Sequence, residues 1–267
     1  KGWKDINEID FLKSELDSVI QNIAPEGEAE LYFVTGCFNL EEAIETYIGY
    51  IVSGKPADAE KVLIRKIFAA RDSFNAINRQ EDALLALLIM HALKEMIRNS
   101  LWASIEGISE KLDEYLKMAV SRSNSKPIFD LWPSQKSAIE HNLFDMTKST
   151  LVVQMPTSAG KSLLAKLYIM QTKSVYADAK IAYLVPTRAL VNQVKRDLKF
   201  EYEKLGYNVD IAIPFMDIDE IEEELLLKNT DIIVTTPEKF DIMQRSKHPF
   251  IDKLRLVIVD EAHNIQD

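Results

Sequence analysis

A single cysteine, Cys37, occurs in the 267 residues. An internal disulfide needs two cysteines and a multi-cysteine zinc site needs more, so both are excluded. A reducing, cytoplasmic compartment is the default that follows. The four histidines, His91, His141, His248 and His263, are widely spaced and form no metal-ligand pattern. Long apolar runs are missing too. The longest, ALLALLIMHAL at 83–93, has 11 residues and contains a histidine, whereas a bilayer span needs roughly 20. No membrane association is expected, and no signal-peptide pattern opens the chain. It begins at Lys1 rather than at methionine, as a trimmed chain would. Positive charge is also in deficit: 32 Lys and Arg stand against 42 Asp and Glu, a net charge of −10. Both halves share the deficit. The deficit argues against a generally basic nucleic-acid binder, but it does not exclude a local basic groove, because the field depends on where charges sit.

What is present divides into two grammars. Hydrophobic residues make up 47% of the chain, enough to bury a core. Residues 1–125 read as helices and short links, with no fixed-period repeat. A helix is expected near 5–23 and a short element near 28–38. Asn39 with Glu42 has capping-box spacing for a helix ended by Gly54 and Pro56. A second helix carries the stripe Val62, Leu63, Ile67 and Phe68. Asn78 with Glu81 repeats the cap spacing before a long stretch over 82–101, within which His91 is expected to be packed or half-buried. A last helix over 108–120 carries Leu112, Tyr115, Leu116 and Ala119. The polar stretch SRSNSKP (121–127) marks the boundary. After it, near-continuous apolar runs alternate with helical stretches: TLVVQ, KIAYLVP, VDIAIP, DIIVTT and LRLVIVD. Strands buried on both faces of a parallel sheet have that composition. The expectation is an all-helical domain over 1–125 followed by a parallel α/β domain over 126–267.

Two stretches of the second half carry chemistry. In MPTSAGKS (155–162) the end Gly160-Lys161-Ser162 matches the core of a phosphate-binding loop set between a strand and a helix. Gly160 lacks the Cβ that would keep backbone N–H groups from a phosphate, and the helix that follows aims its N-terminal dipole at the anion. Lys161 supplies a point charge to the outer phosphates, and the Ser162 hydroxyl ligates magnesium. The full pattern would have glycine at 155, where this chain has Met155. LRLVIVDEAHNI (254–265) ends an apolar strand on Asp260-Glu261. Adjacent carboxylates there can divide two tasks: Asp260 holds the metal, and Glu261 orients the attacking water. Lys161, Asp260 and Glu261 are the expected catalytic set. Acidic DIDEIEEE (217–224) reads as a solvated helix face.

In ordered blocks, residues 128–267 resemble superfamily 2 helicases of the DEAH/DExH type, most closely the Ski-like branch. LWPSQKSAIE is similar to the adenine-reading segment, with Gln135 as the base-reading residue. MPTSAGKS resembles motif I, VPTRALVNQ motif Ia, TTPEKF motif Ib and DEAH (260–263) motif II. The resemblance implies a RecA-like P-loop NTPase domain with ATP and magnesium as cofactors. Nucleotide contacts would come from Gln135, Pro156, Thr157, Ser158, Ala159, Gly160, Lys161 and Ser162, and metal contacts from Ser162 and Asp260. Helices opening at PTRAL and TPEKF would present their N-termini, with Thr187, Arg188, Thr236, Pro237 and Lys239, to the backbone of DNA or RNA. His263 would couple the ATP state to the nucleic-acid side. Such motors have a second RecA-like domain, so this chain is expected to be an N-terminal fragment whose ATP hydrolysis needs that domain. Two other functions stay open: a motor subunit of a nuclease-linked restriction or antiviral defence system, and a helical protein-interaction module on a nucleotide-gated switch.

Overall fold

A computed structural model describes residues 27–121, 127–156, 160–212 and 225–262. The helix expected near 5–23 and the acidic stretch 217–224 lie outside these residues. Two compact units divide between Arg98 and Asn99, and each is described by itself.

The first unit is three helices: α1 (Glu28–Ser53), α2 (Ala59–Ala76) and α3 (Gln80–Arg98). Glu28 and Glu30 complement the dipole of the first turn of α1. Its last turn is closed by the Gly54 N–H donating to the Tyr50 carbonyl at 2.7 Å. Leu63, Ile67, Ala70 and Phe74 of α2 are buried with Ala43, Tyr50 and Ile51 of α1. Gly36 is where the two helices close up, since a Cβ there would lie 2.5 Å from the Phe74 ring. Several expectations need correction. Asn39 caps nothing: α1 runs through it, and its side-chain amide donates to the Thr35 carbonyl. A continuous apolar face across 28–53 outweighs one local cap signal. Asn78 is left-handed, φ 58°, and forms the turn before α3 rather than its cap. Leu84, Leu85, Leu88 and His91 of α3 are exposed, so the histidine is not packed.

The second unit opens with two helices that the sequence assigned to the helical half, α4 (Leu101–Ile105) and α5 (Glu110–Val120). Ser100 and Ser109 cap them, accepting from the N–H groups of Ala103 and Leu112. The stripe Leu112, Tyr115, Leu116 and Ala119 is fully buried, as its spacing demanded. It packs against the helix Lys161–Val175 as well as against α4. Tyr115 donates to Glu201 at 2.8 Å, and Lys166 pairs with the same carboxylate at 2.6 Å. The division thus falls ahead of the polar stretch at 121–127, because packing rather than composition sets it.

The remainder comprises α6 (Pro133–Glu140), α7 (Lys161–Val175), β1 (Lys180–Leu184), α8 (Arg188–Tyr202), β2 (Val209–Ala212), β3 (Ile232–Thr235), α9 (Pro237–Arg245), α10 (Pro249–Asp252) and β4 (Leu254–Val259). The strands form one sheet in the order β2-β3-β1-β4, every pair parallel. β1 and β3 are buried almost throughout, the parallel α/β architecture that their apolar composition implies. α7 packs against β4, and α8 against β2 and β3.

Two strand expectations fail. Segment 151–156 forms no strand, and Val152 is 85% exposed. A strand needs a neighbour's backbone groups, and among the described residues β4 pairs only with β1. For the same reason β4 is not buried on both faces: Arg255, Val257 and Val259 are exposed on one of them. Among the described residues no helix is long and apolar enough to cross a membrane.

Candidate functional site

Parallel strands bring their carboxyl ends to one edge, and the topology decides which ends are neighbours. Leu184, the last residue of β1, is in register with Thr235 of β3 on one side and Val259 of β4 on the other. The Asp260 N–H donates to the Leu184 carbonyl at 2.9 Å, extending the β4 ladder by one residue. Thr187 and Thr236 occupy the cap positions of α8 and α9, which begin at Arg188 and Pro237. Both helix starts therefore stand next to each other on the edge that carries Asp260.

Lys161 opens α7, directly after Gly160. Gly160 is left-handed, φ 75°, and a Cβ there would lie 2.1 Å from Gln135 Nε2, so both its conformation and its surroundings require glycine. Lys161 Nζ lies 3.8 Å from Glu261 Oε1 and 3.5 Å from the Met155 carbonyl oxygen. Both charged side chains are about one-third exposed, so the pair faces solvent. The phosphate-loop lysine and the acidic pair, a hundred residues apart in sequence, thus share one spot. Glu261 has φ 52°, a conformation uncommon for a residue with a side chain. The turn brings its N–H back to Asp260 Oδ1 at 3.0 Å. Asp260 Oδ2 faces the Tyr183 hydroxyl at 3.4 Å. Burial pushes the Tyr183 phenol well above its ordinary value, and the Asp260 carboxylate adds to the shift.

Gln135 is buried, and both ends of its amide are engaged. Oε1 accepts the Trp132 N–H at 2.8 Å, and Nε2 donates to the Gly160 carbonyl at 3.0 Å. The expected base-reading amide here braces the phosphate loop against the start of α6. Pro133 occupies the first position of that helix, where its fixed φ fits and no N–H is needed. Pro156 and Ser162 are exposed on either side of the loop. Thr157, Ser158, Ala159 and His263 lie outside the described residues.

The expected nucleic-acid residues gather around α8 and α9. Thr187 and Arg188 are exposed, while Thr236 is buried and Lys239 half-buried. Glu238 is held below the ordinary carboxylate range, first by a hydrogen bond from Thr236, and Arg188 also lowers it. Arg188 therefore sits near the start of α9 as well as at its own helix. What sequence reasoning missed was Tyr183 beside Asp260. It lies in an apolar strand, and nothing in KIAYLVP marks its hydroxyl as different from a packed phenol.

The arrangement fits a nucleoside triphosphate with magnesium. A left-handed glycine and a helix start stand ready for phosphate, a lysine for the outer charge, and a hydroxyl and a carboxylate for a hard cation. Among the described residues no group of three or more His, Cys, Asp or Glu side chains could hold a metal. Magnesium at Ser162 and Asp260 would therefore complete its shell with phosphate oxygens and water, as that ion ordinarily does.

The DEAD/DEAH box helicase family model matches residues 132–267. The chain is similar to Hachiman protein HamB of Bacillus cereus, 28% identical over 227 residues, covering 84% of this chain and 20% of that protein. It is also similar to the ATP-dependent DNA helicase Hel308 of Methanocaldococcus jannaschii, 33% identical over 144 residues, covering 52% of this chain and 12% of that one. A crystal structure of the DUF1998 helicase MrfA bound to DNA and AMPPNP covers 58% of this chain and 22% of its own, at 22% identity and a TM-score of 0.45. The chain thus spans a fifth or less of the length of these two curated relatives.

Proposed function

Because the chain belongs to the DEAD/DEAH box helicase family, we propose that it is the ATP-binding and nucleic-acid-tracking part of an ATP-dependent helicase or translocase. The observation that carries this reading is the approach of Lys161 Nζ to Glu261 Oε1, 3.8 Å, beside Asp260 on the carboxyl edge of a parallel sheet. In that position the two charged groups would flank the outer phosphates of a bound triphosphate. Lys161 would neutralise the outer phosphates, Ser162 and Asp260 would hold magnesium, and Glu261 would orient the water for attack. Magnesium supplies charge neutralisation on the phosphate oxygens. Gln135 would fix the loop through Gly160 and read adenine by exchanging one of its two backbone bonds. Thr157, Ser158, Ala159 and Pro156 belong to the same loop, and His263 follows the acidic pair as the coupling residue.

DNA or RNA would lie along the starts of α8 and α9, held through its phosphates by helix N-termini and by Arg188 and Lys239. Residence in the cytoplasm is part of the reading, supported by the lone cysteine. Assignment of 1–125 and 126–267 as separate functional domains is refined by the packing of α4 and α5, which argues for a catalytic unit beginning near Asn99.

One observation favours a second reading, a defence-system motor. The similarity to HamB runs over 227 residues, longer than the stretch 132–267 and so reaching into the helical part, whereas that to Hel308 runs over 144. A protein partner at the helical unit suits this reading, supported by the exposed Leu84, Leu85 and Leu88.

The test is ATP turnover by the full-length protein with matched DNA and RNA strands at fixed salt. Lys161→Ala is expected to abolish turnover. Glu261→Gln is expected to trap bound ATP with affinity largely intact. Normal turnover in either variant overturns the assignment.

A further inference from the structure

The carboxylate of Asp260 is held at both oxygens. Oδ1 accepts the N–H of Glu261 at 3.0 Å, a bond created by the left-handed turn at that residue. Oδ2 faces the hydroxyl of Tyr183 at 3.4 Å. Tyr183 is an inner residue of β1, paired with Val234 of β3 and Ile258 of β4, and only 4% exposed. Its backbone is thus fixed by the sheet on both sides, its side chain is buried, and its hydroxyl reaches the acid at the end of the neighbouring strand.

Packing alone does not ask for that hydroxyl. Phenylalanine would fill the same space in an apolar strand without a polar group to desolvate, and burying a hydroxyl costs free energy unless a partner accepts it. Its partner is the carboxylate that the proposed function assigns to magnesium. The separation is longer than the roughly 2.7–2.8 Å of a well-made O–H···O bond, as is common for catalytic contacts before the substrate is bound. A carboxylate binding a cation presents one oxygen to the metal and needs the other held. Outer-shell donors of that kind orient the ligand and tune its affinity.

We propose that Tyr183 is a positioning residue of the magnesium site, its hydroxyl holding Asp260 Oδ2 so that the carboxylate keeps one orientation toward the metal. This rests on the reading of Asp260 as a magnesium ligand. Tyr183 itself touches neither nucleotide nor metal. It acts through the orientation of Asp260, which the backbone bond from Glu261 fixes at only one oxygen.

The test uses the full-length protein and a fluorescent ATP analogue, with binding followed as magnesium is titrated and again in a chelator. Tyr183→Phe is expected to raise the half-saturating magnesium concentration on the order of tenfold, the low end for loss of an outer-shell partner. Affinity in chelator should be unchanged, and the melting temperature should stay close to wild type. Asp260→Asn is expected to remove most of the magnesium dependence, and adding Tyr183→Phe to it should produce no further shift. An unchanged magnesium midpoint in Tyr183→Phe overturns the proposal, as does a lowered melting temperature without a midpoint shift, which would assign the hydroxyl to packing. Additive shifts in the double variant overturn it as well. Full magnesium dependence in Asp260→Asn removes the premise itself, an outcome distinct from failure at Tyr183 alone.

Discussion

Single positions in this chain are constrained by what stands next to them more than by their own type. Gly160 combines a positive φ with a neighbour 2.1 Å from where a Cβ would be. Alanine there must push away the Gln135 amide, which otherwise bonds both the Gly160 carbonyl and the Trp132 N–H. Gly160→Ala is therefore expected to weaken ATP binding at least tenfold, about 1.4 kcal/mol or more, from loop strain and loss of that brace. Equilibrium titration with ATP checks it, and unchanged affinity would mean that the loop does not need this conformation. A chain scan finds Gly160 and Lys161 readily, because a phosphate loop concentrates its requirements in adjacent residues. Gln135 is also legible, though its two hydrogen bonds to the backbone are not. Tyr183 escapes notice, since its hydroxyl matters only through Asp260, 77 residues later.

At the scale of elements, the informative disagreement concerns α5. Its stripe Leu112, Tyr115, Leu116 and Ala119 was readable from spacing, and all four are buried. The partner of that stripe was not readable. A helical period reports that a face is buried, not against what. Here the Tyr115 hydroxyl and the Lys166 ammonium converge on Glu201 of α8, and the Tyr115 and Tyr202 rings lie 6.3 Å apart. Removal of α4 and α5 would uncover this apolar surface and strand the buried polar groups. A chain beginning at residue 99 is expected to unfold cooperatively, whereas one beginning at residue 127 should melt at least 10 °C lower or aggregate. Calorimetry of the two distinguishes the boundaries, and equal melting temperatures would favour the later one. Leu116→Ala in the longer chain should cost about 2–5 kcal/mol, the usual range for a buried leucine.

For the molecule as a whole, the question is how a chain of net charge −10 would hold a polyanion. The answer offered by the fold is placement. Adjacent parallel strands put the starts of α8 and α9 side by side, and Arg188 lies near enough to influence Glu238 across them. Helix N-termini and a few cations there can bind phosphates locally, because exposed charges farther away than a screening length, about 10 Å at 0.1 M salt, contribute little. Arg188→Ala and Lys239→Ala are each expected to weaken nucleic-acid binding about equally for all sequences. Each should also reduce the slope of log affinity against log salt by about one. Binding measured across a salt series checks this. A sequence-dependent loss, or an unchanged slope, would locate the track elsewhere.

The sequence by itself determined the chemistry: which residues can meet phosphate, cation and water, and that apolar strands alternating with helices make a parallel sheet. These properties are local, written in residue type and spacing. Only the tertiary structure decided the neighbours. It put Lys161 beside Glu261 and Tyr183 beside Asp260, moved α5 to the second unit, and left 151–156 without a strand partner. Strand order and helix packing join segments distant along the chain, and no local period or motif records which segments will meet.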